Sequence, residues 1–171
     1  MHTSDRNMTY EGAAAPLQSS FQSKPAYRTI ALAGVIAGSL DLGTAFVEAG
    51  LEGRTPIRLL QGIAGGLLGM ETFQKGLGSA ALGAFFHFLI AFTAAAVFYI
   101  ASRKLKFLLK RPILSGTFYG IAVWCFMSLV VLPLSAYHSV PRFSPIIIRD
   151  VAVHIFMVGL PISLVVRKFS S

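Results

Sequence analysis

Residues 79–101 read SAALGAFFHFLIAFTAAAVFYIA, from Ser79 to Ala101, and contain no Lys, Arg, Asp or Glu. An α-helix rises about 1.5 Å per residue, so a run of this length reaches across a hydrocarbon layer of about 30 Å. The stretch therefore predicts a transmembrane helix, and it decides the class of the whole chain. One imidazole, His87, lies inside it.

Composition agrees. Of 171 residues, 54% are hydrophobic and 13% charged, where soluble domains carry about 25% charged residues. Mean hydropathy is +0.67. The net charge of +8 does not signal nucleic acid, because the basic residues cap apolar runs instead of lining a face, as charges on the cytoplasmic side of a membrane do. A single cysteine, Cys125, excludes a disulfide within the chain and reads as a small buried hydrophobe.

Working outward, the run ends at Arg103, Lys104, Lys106, Lys110 and Arg111, the densest basic cluster. A further span follows at about 113–134, with Gly116/Gly120, Trp124 and Pro133. After the turn Ser135–Pro145, a last span covers about 146–166. It carries Arg149, Asp150, His154 and Pro161, and Arg167 and Lys168 stop it.

Upstream, an apolar run at about 29–49 follows Lys24 and Arg28 and contains Asp41, with Glu48 at its far end. Gly34 and Gly38 form a small-xxx-small pair that admits a close helix neighbour. The connection Gly50–Gly78 has mixed charge. In it, Thr55 and Pro56 read as an N-cap followed by proline at the first helical position. The apolar run Ile57–Met70 is too short to span and is rich in glycine, which predicts a re-entrant or interfacial helix with Gln61 as its main polar side chain. Residues 1–26 are polar, lack the apolar stretch of a cleaved signal, and read as a disordered cytoplasmic tail.

The expectation is an all-α fold: a four-helix transmembrane bundle with a short re-entrant or interfacial helix between spans 1 and 2, forming one domain over residues 27–171. With both termini inside, the groups at Arg6/Lys24/Arg28, Arg103–Arg111 and Arg167/Lys168 all face the cytoplasm.

In that topology Asp41, His87 and His154 each lie about eight residues from the outer helix ends, about 12 Å deep. Asp150 is one turn from His154 on the same face. Ionisable groups at such depth face the bundle interior and find partners. We therefore expect Asp41, His87, His154 and Asp150 to form an outer-half polar cluster, with Gln61 as a further candidate. Three readings stay open. The cluster can be a network that fixes helix register, with Asp41 paired to a histidine. It can be a proton or ion path, since imidazole titrates near neutral pH and responds to a nearby carboxylate. It can hold haem or a divalent metal at His87 and His154, although no HExxH or CxxC spacing supports a cofactor.

Catalysis has less support. Gly76, Gly78 and Ala81 match G-x-G-x-x-A, but no strand precedes them. Of Ser115, Ser128, Ser135 and Ser163, none shares an obvious depth with a His and an Asp, apart from Ser135 near the outer cluster.

The chain resembles the YagU-like group of small bacterial inner-membrane proteins and related four-span proteins. The residues that carry the likeness are Gly38-Ser39-Leu40-Asp41, Leu60-Gln61-Gly62-Ile63-Ala64, His87-Phe88, Tyr119-Gly120, Leu132-Pro133-Leu134-Ser135 and Gly159-Leu160-Pro161. The resemblance implies a bacterial cytoplasmic membrane and no particular substrate. Two functional classes follow from the whole reading: a small proton-linked transporter or channel, or a non-transporting structural or partner-binding protein of the envelope. The lipid bilayer is the expected partner, and four spans are few enough that a homodimer fits a transporter.

Overall fold

The computed structural model describes residues 25–138 and 146–170. The expected tail lies outside these residues up to Lys24, and so does the part of the turn at 139–145. Among the described residues there are helices and no strands. Four helices are long and apolar enough to cross a membrane: α1 (Ala26–Leu51), α3 (Gly76–Lys104), α5 (Pro112–Leu134) and α6 (Ile146–Phe169). Two shorter ones join them, α2 (Pro56–Leu68) and α4 (Phe107–Lys110). The chain is a multi-pass, all-α membrane protein.

Many of the large side chains point outward. Phe85, Phe118, Phe126, Ile148 and Phe156 are all exposed, which suits a surface solvated by lipid tails. The interior is built from small residues, because association in lipid depends on close packing rather than on hydrophobic burial. Gly34 and Gly38 of α1 receive Phe92, Phe88 and Ala91 of α3. Gly116 and Gly120 of α5 meet the backbone of α6 at Gly159 and at His154–Ile155. A Cβ on Gly159 would stand 2.6 Å from the Gly120 nitrogen, so α5 and α6 touch backbone to backbone.

The helices are antiparallel neighbours in the order α3, α1, α6, α5. The ring does not close. Between α3 and α5 the backbones stay apart, and side chains bridge the gap. Tyr119 Oη donates to the Ala94 carbonyl at 2.6 Å, and its ring packs on Phe98 with centroids 5.0 Å apart. At the basic end, Ser163 Oγ donates to the Pro112 carbonyl at 2.6 Å and ties the start of α5 to α6. At the opposite end, Arg149 of α6 pairs with Glu48 of α1 at 3.3 Å.

Helix α2 begins as its sequence predicts. The Arg58 amide donates to Thr55 Oγ1 at 3.3 Å, and Pro56 occupies the first turn. Its inner face presses on α3, where Gly83 leaves room for the Leu60 carbonyl. The turn after α5 holds it from the other side: the Ala136 amide donates to the Gly66 carbonyl at 2.8 Å, and Tyr137 Oη donates to the Gly62 carbonyl at 2.9 Å.

Both prolines inside spans leave a mark. Proline lacks an N–H and clashes with the carbonyl four residues back. The turns preceding Pro133 and Pro161 are widened into π-helix, at Met127–Val131 in α5 and His154–Gly159 in α6. Such turns recur at functional sites because they displace a side chain from the regular helical register.

Candidate functional site

A cavity of about 140 Å³ lies among α1, α3, α5 and α6 in the half away from the basic clusters. Asp41, His87 and His154 all line it, from three different helices, together with Ile63 of α2 and Val123 and Met127 of α5. Toward the basic end it is closed by the apolar core of Ala33, Ala37, Ala95, Phe98, Val158, Ile162 and Val166. The polar groups therefore stand above packed apolar side chains.

Each histidine is fixed by one ring nitrogen. His87 Nε2 lies 2.8 Å from the Gly38 carbonyl of α1. His154 Nδ1 lies 2.9 Å from the Asp150 carbonyl in its own helix. A carbonyl only accepts, so each of these nitrogens carries the hydrogen. In the neutral ring the second nitrogen then holds a lone pair: Nδ1 in His87 and Nε2 in His154. The two rings are pinned in opposite tautomers.

Asp41 is half-buried, and among the described residues no hydrogen bond or ion pair reaches its carboxylate. The cluster is thus not a network in which Asp41 binds a histidine. Nor do three or more His, Cys, Asp or Glu side chains come close enough to hold a metal ion among the described residues.

The other two candidates lie apart from the cavity lining. The Asp150 carboxylate accepts from Arg149 at 3.2 Å, and that arginine also reaches Glu48. Asp150 serves the site through its backbone carbonyl, while its side chain belongs to the ion pair at the helix ends. Gln61 is buried and donates from Nε2 to the Gly76 carbonyl at 2.9 Å, fastening α2 to the start of α3. Its amide is used for docking the short helix, and the neighbouring Ile63 is the α2 residue that reaches the cavity.

Sequence reading did not find Met127 or the backbone carbonyl of Gly38. The signals available were Pro133, whose widened turn begins at Met127, and the Gly34/Gly38 pair, which brings the α1 backbone within reach of α3. Pro161 marks the equivalent turn beginning at His154. Both π turns open on a cavity residue.

No family model, curated protein or solved structure matches the chain.

Proposed function

We propose that this chain is a small proton-linked transporter, with Asp41, His87 and His154 as its proton-binding groups. The observation that carries the reading is that these three side chains, from α1, α3 and α6, line one cavity while Asp41 has no partner among the described residues. An unpaired carboxylate inside a helix bundle is costly unless a mobile charge visits it. A proton carried on the lone-pair nitrogens of His87 and His154 supplies that charge. The packed apolar core below them favours alternating exposure of the site over a continuous channel. The π turns at Met127–Val131 and His154–Gly159 are natural places for α5 and α6 to flex.

The same proposal includes a bacterial cytoplasmic membrane, as the YagU-like resemblance implies, with both termini on the cytoplasmic side, where the basic clusters lie. It also admits a homodimer.

The test is flux in proteoliposomes under an imposed pH gradient. The reading predicts protein-dependent proton movement that His87→Ala abolishes. Absence of flux for protons, common cations and amphiphiles would favour the second reading, a non-transporting envelope protein. Support for that alternative is the number of contacts devoted to holding α2 in place, notably Gln61 to Gly76 and Tyr137 to Gly62.

A further inference from the structure

The open side of the helix ring bears on what the cavity takes. Between α3 and α5 runs a cleft of about 420 Å³, lined by Leu89, Val97, Ala122, Phe126 and their neighbours. Four residues, Ile90, Ala94, Val123 and Met127, line both this cleft and the cavity that holds Asp41 and the histidines. The two spaces therefore share a border. Met127 stands on that border, and methionine is the most adaptable of the apolar side chains.

The cleft has no free hydrogen-bond donor to offer. Thr93 Oγ1 donates back to the Leu89 carbonyl at 2.8 Å, and Tyr119 Oη is committed to the Ala94 carbonyl. The rest of its lining is apolar, which suits a hydrocarbon chain. The cavity behind it is the reverse: its uncommitted polar atoms only accept. They are the Asp41 carboxylate and one lone-pair nitrogen on each imidazole, the ring N–H groups being spent on the Gly38 and Asp150 carbonyls. A ligand's polar end must then bring N–H donors and a positive charge. The cavity, at about 140 Å³, is close to the size that in another protein holds a benzene-sized guest, about 150 Å³, which suits a small head group.

Resting on the transport reading above, we infer that the substrate is a lipophilic amine in its ammonium form. Its head group binds against Asp41, and its hydrocarbon part lies in the α3–α5 cleft, which it enters sideways from the bilayer. Proton linkage follows from competition. The ammonium and a proton on the imidazoles satisfy the same carboxylate, so binding one expels the other. No bond is made or broken.

The test uses the full chain in lipid nanodiscs, with empty nanodiscs subtracted for partition into lipid. Octylammonium is the probe, and octanol and octanoate are the controls of equal chain length. Calorimetry is expected to show saturable octylammonium binding at least about tenfold tighter than either control, with proton release. Asp41→Asn should weaken it about tenfold, and Val97→Trp, which fills the cleft from a position that does not itself line the cavity, should also weaken it. Equal binding of octanol and octanoate would overturn the inference, and so would unchanged affinity in Asp41→Asn. A mass measurement showing a dimer that Val97→Trp splits would also overturn it, since a second copy would then occupy the cleft. The two proposals fail separately. Proton flux without octylammonium binding leaves the transport reading and removes this one. Binding without proton flux in liposomes removes the transport reading and leaves an amine-binding protein.

Discussion

His87 of α3 donates from Nε2 to the backbone carbonyl of Gly38 in α1, across 2.8 Å. The contact exists because Gly38 has no side chain: Ala91 and Phe88 already stand 3.0 Å from where its Cβ would be. One glycine therefore sets both the approach of the two helices and the tautomer of the imidazole.

The two roles of His87 can be separated by substitution. His87→Gln keeps an N–H donor but cannot titrate, whereas His87→Ala loses both. Thermal unfolding in detergent should show His87→Gln near the parent and His87→Ala lower by about 1 kcal/mol, a common worth for a hydrogen bond between membrane helices. Proton flux in liposomes should be lost in both.

Gly159→Ala should be among the most damaging small substitutions. Its new methyl would press on Gly120 and on the Gly116 carbonyl, which are backbone atoms and cannot rotate aside. Overpacking of this kind costs about 1–3 kcal/mol. A lowered unfolding temperature is expected, together with a loss of cavity function, because His154 belongs to the same π turn.

Gln61→Leu should behave differently from any cavity substitution. The change removes the bond to the Gly76 carbonyl, which keeps its contact with Ser79 Oγ at 3.0 Å. Stability should fall by about 1 kcal/mol. A cysteine placed on α2 should become more reactive, while proton flux should persist. Abolished flux with α2 still docked would restore Gln61 to the site.

The clasp on α2 should loosen in alkali. Burial raises the Tyr137 phenol above its ordinary value of 10.0. A group raised in the folded state contributes its full stability below the unfolded value and loses it as pH rises through the folded one. Protection of α2 against hydrogen exchange or thiol labelling should therefore hold below about pH 10 and decline above it. Tyr137→Phe, which lacks the phenol, should show no such decline.

How much of this was legible beforehand follows from the physics of each feature. Long apolar runs with few charges, ended by basic caps, exposed the four spans, and Thr55-Pro56 exposed the start of α2. Helix ends differ by a few residues, as at Ala26 and Lys104, since a helix continues into the interface after the apolar run ends. Depth counting brought Asp41, His87 and His154 to one level, and the structure places them around one cavity. It could not give azimuth or partners. Asp150 is on the right face, but Arg149, which also pairs with Glu48 at the helix ends, claims its carboxylate. Gln61 is polar and central to its helix, yet the nearest unsatisfied need was α2's attachment to α3. The α3–α5 cleft has no sequence signature, because an unfilled gap depends on where Tyr119 props two helices apart.

Three helices bring their titratable groups to one cavity, and cross-linking reads this directly. In a Cys125→Ser background, which removes the one native thiol, Asp41→Cys and His154→Cys are combined and treated in membranes with a short bis-methanethiosulfonate. Mass spectrometry should find an intramolecular link between positions 41 and 154. The control pair, Asp41→Cys with Phe156→Cys on the outward face of α6, should give none. A link in the control pair and none between 41 and 154 would contradict the account.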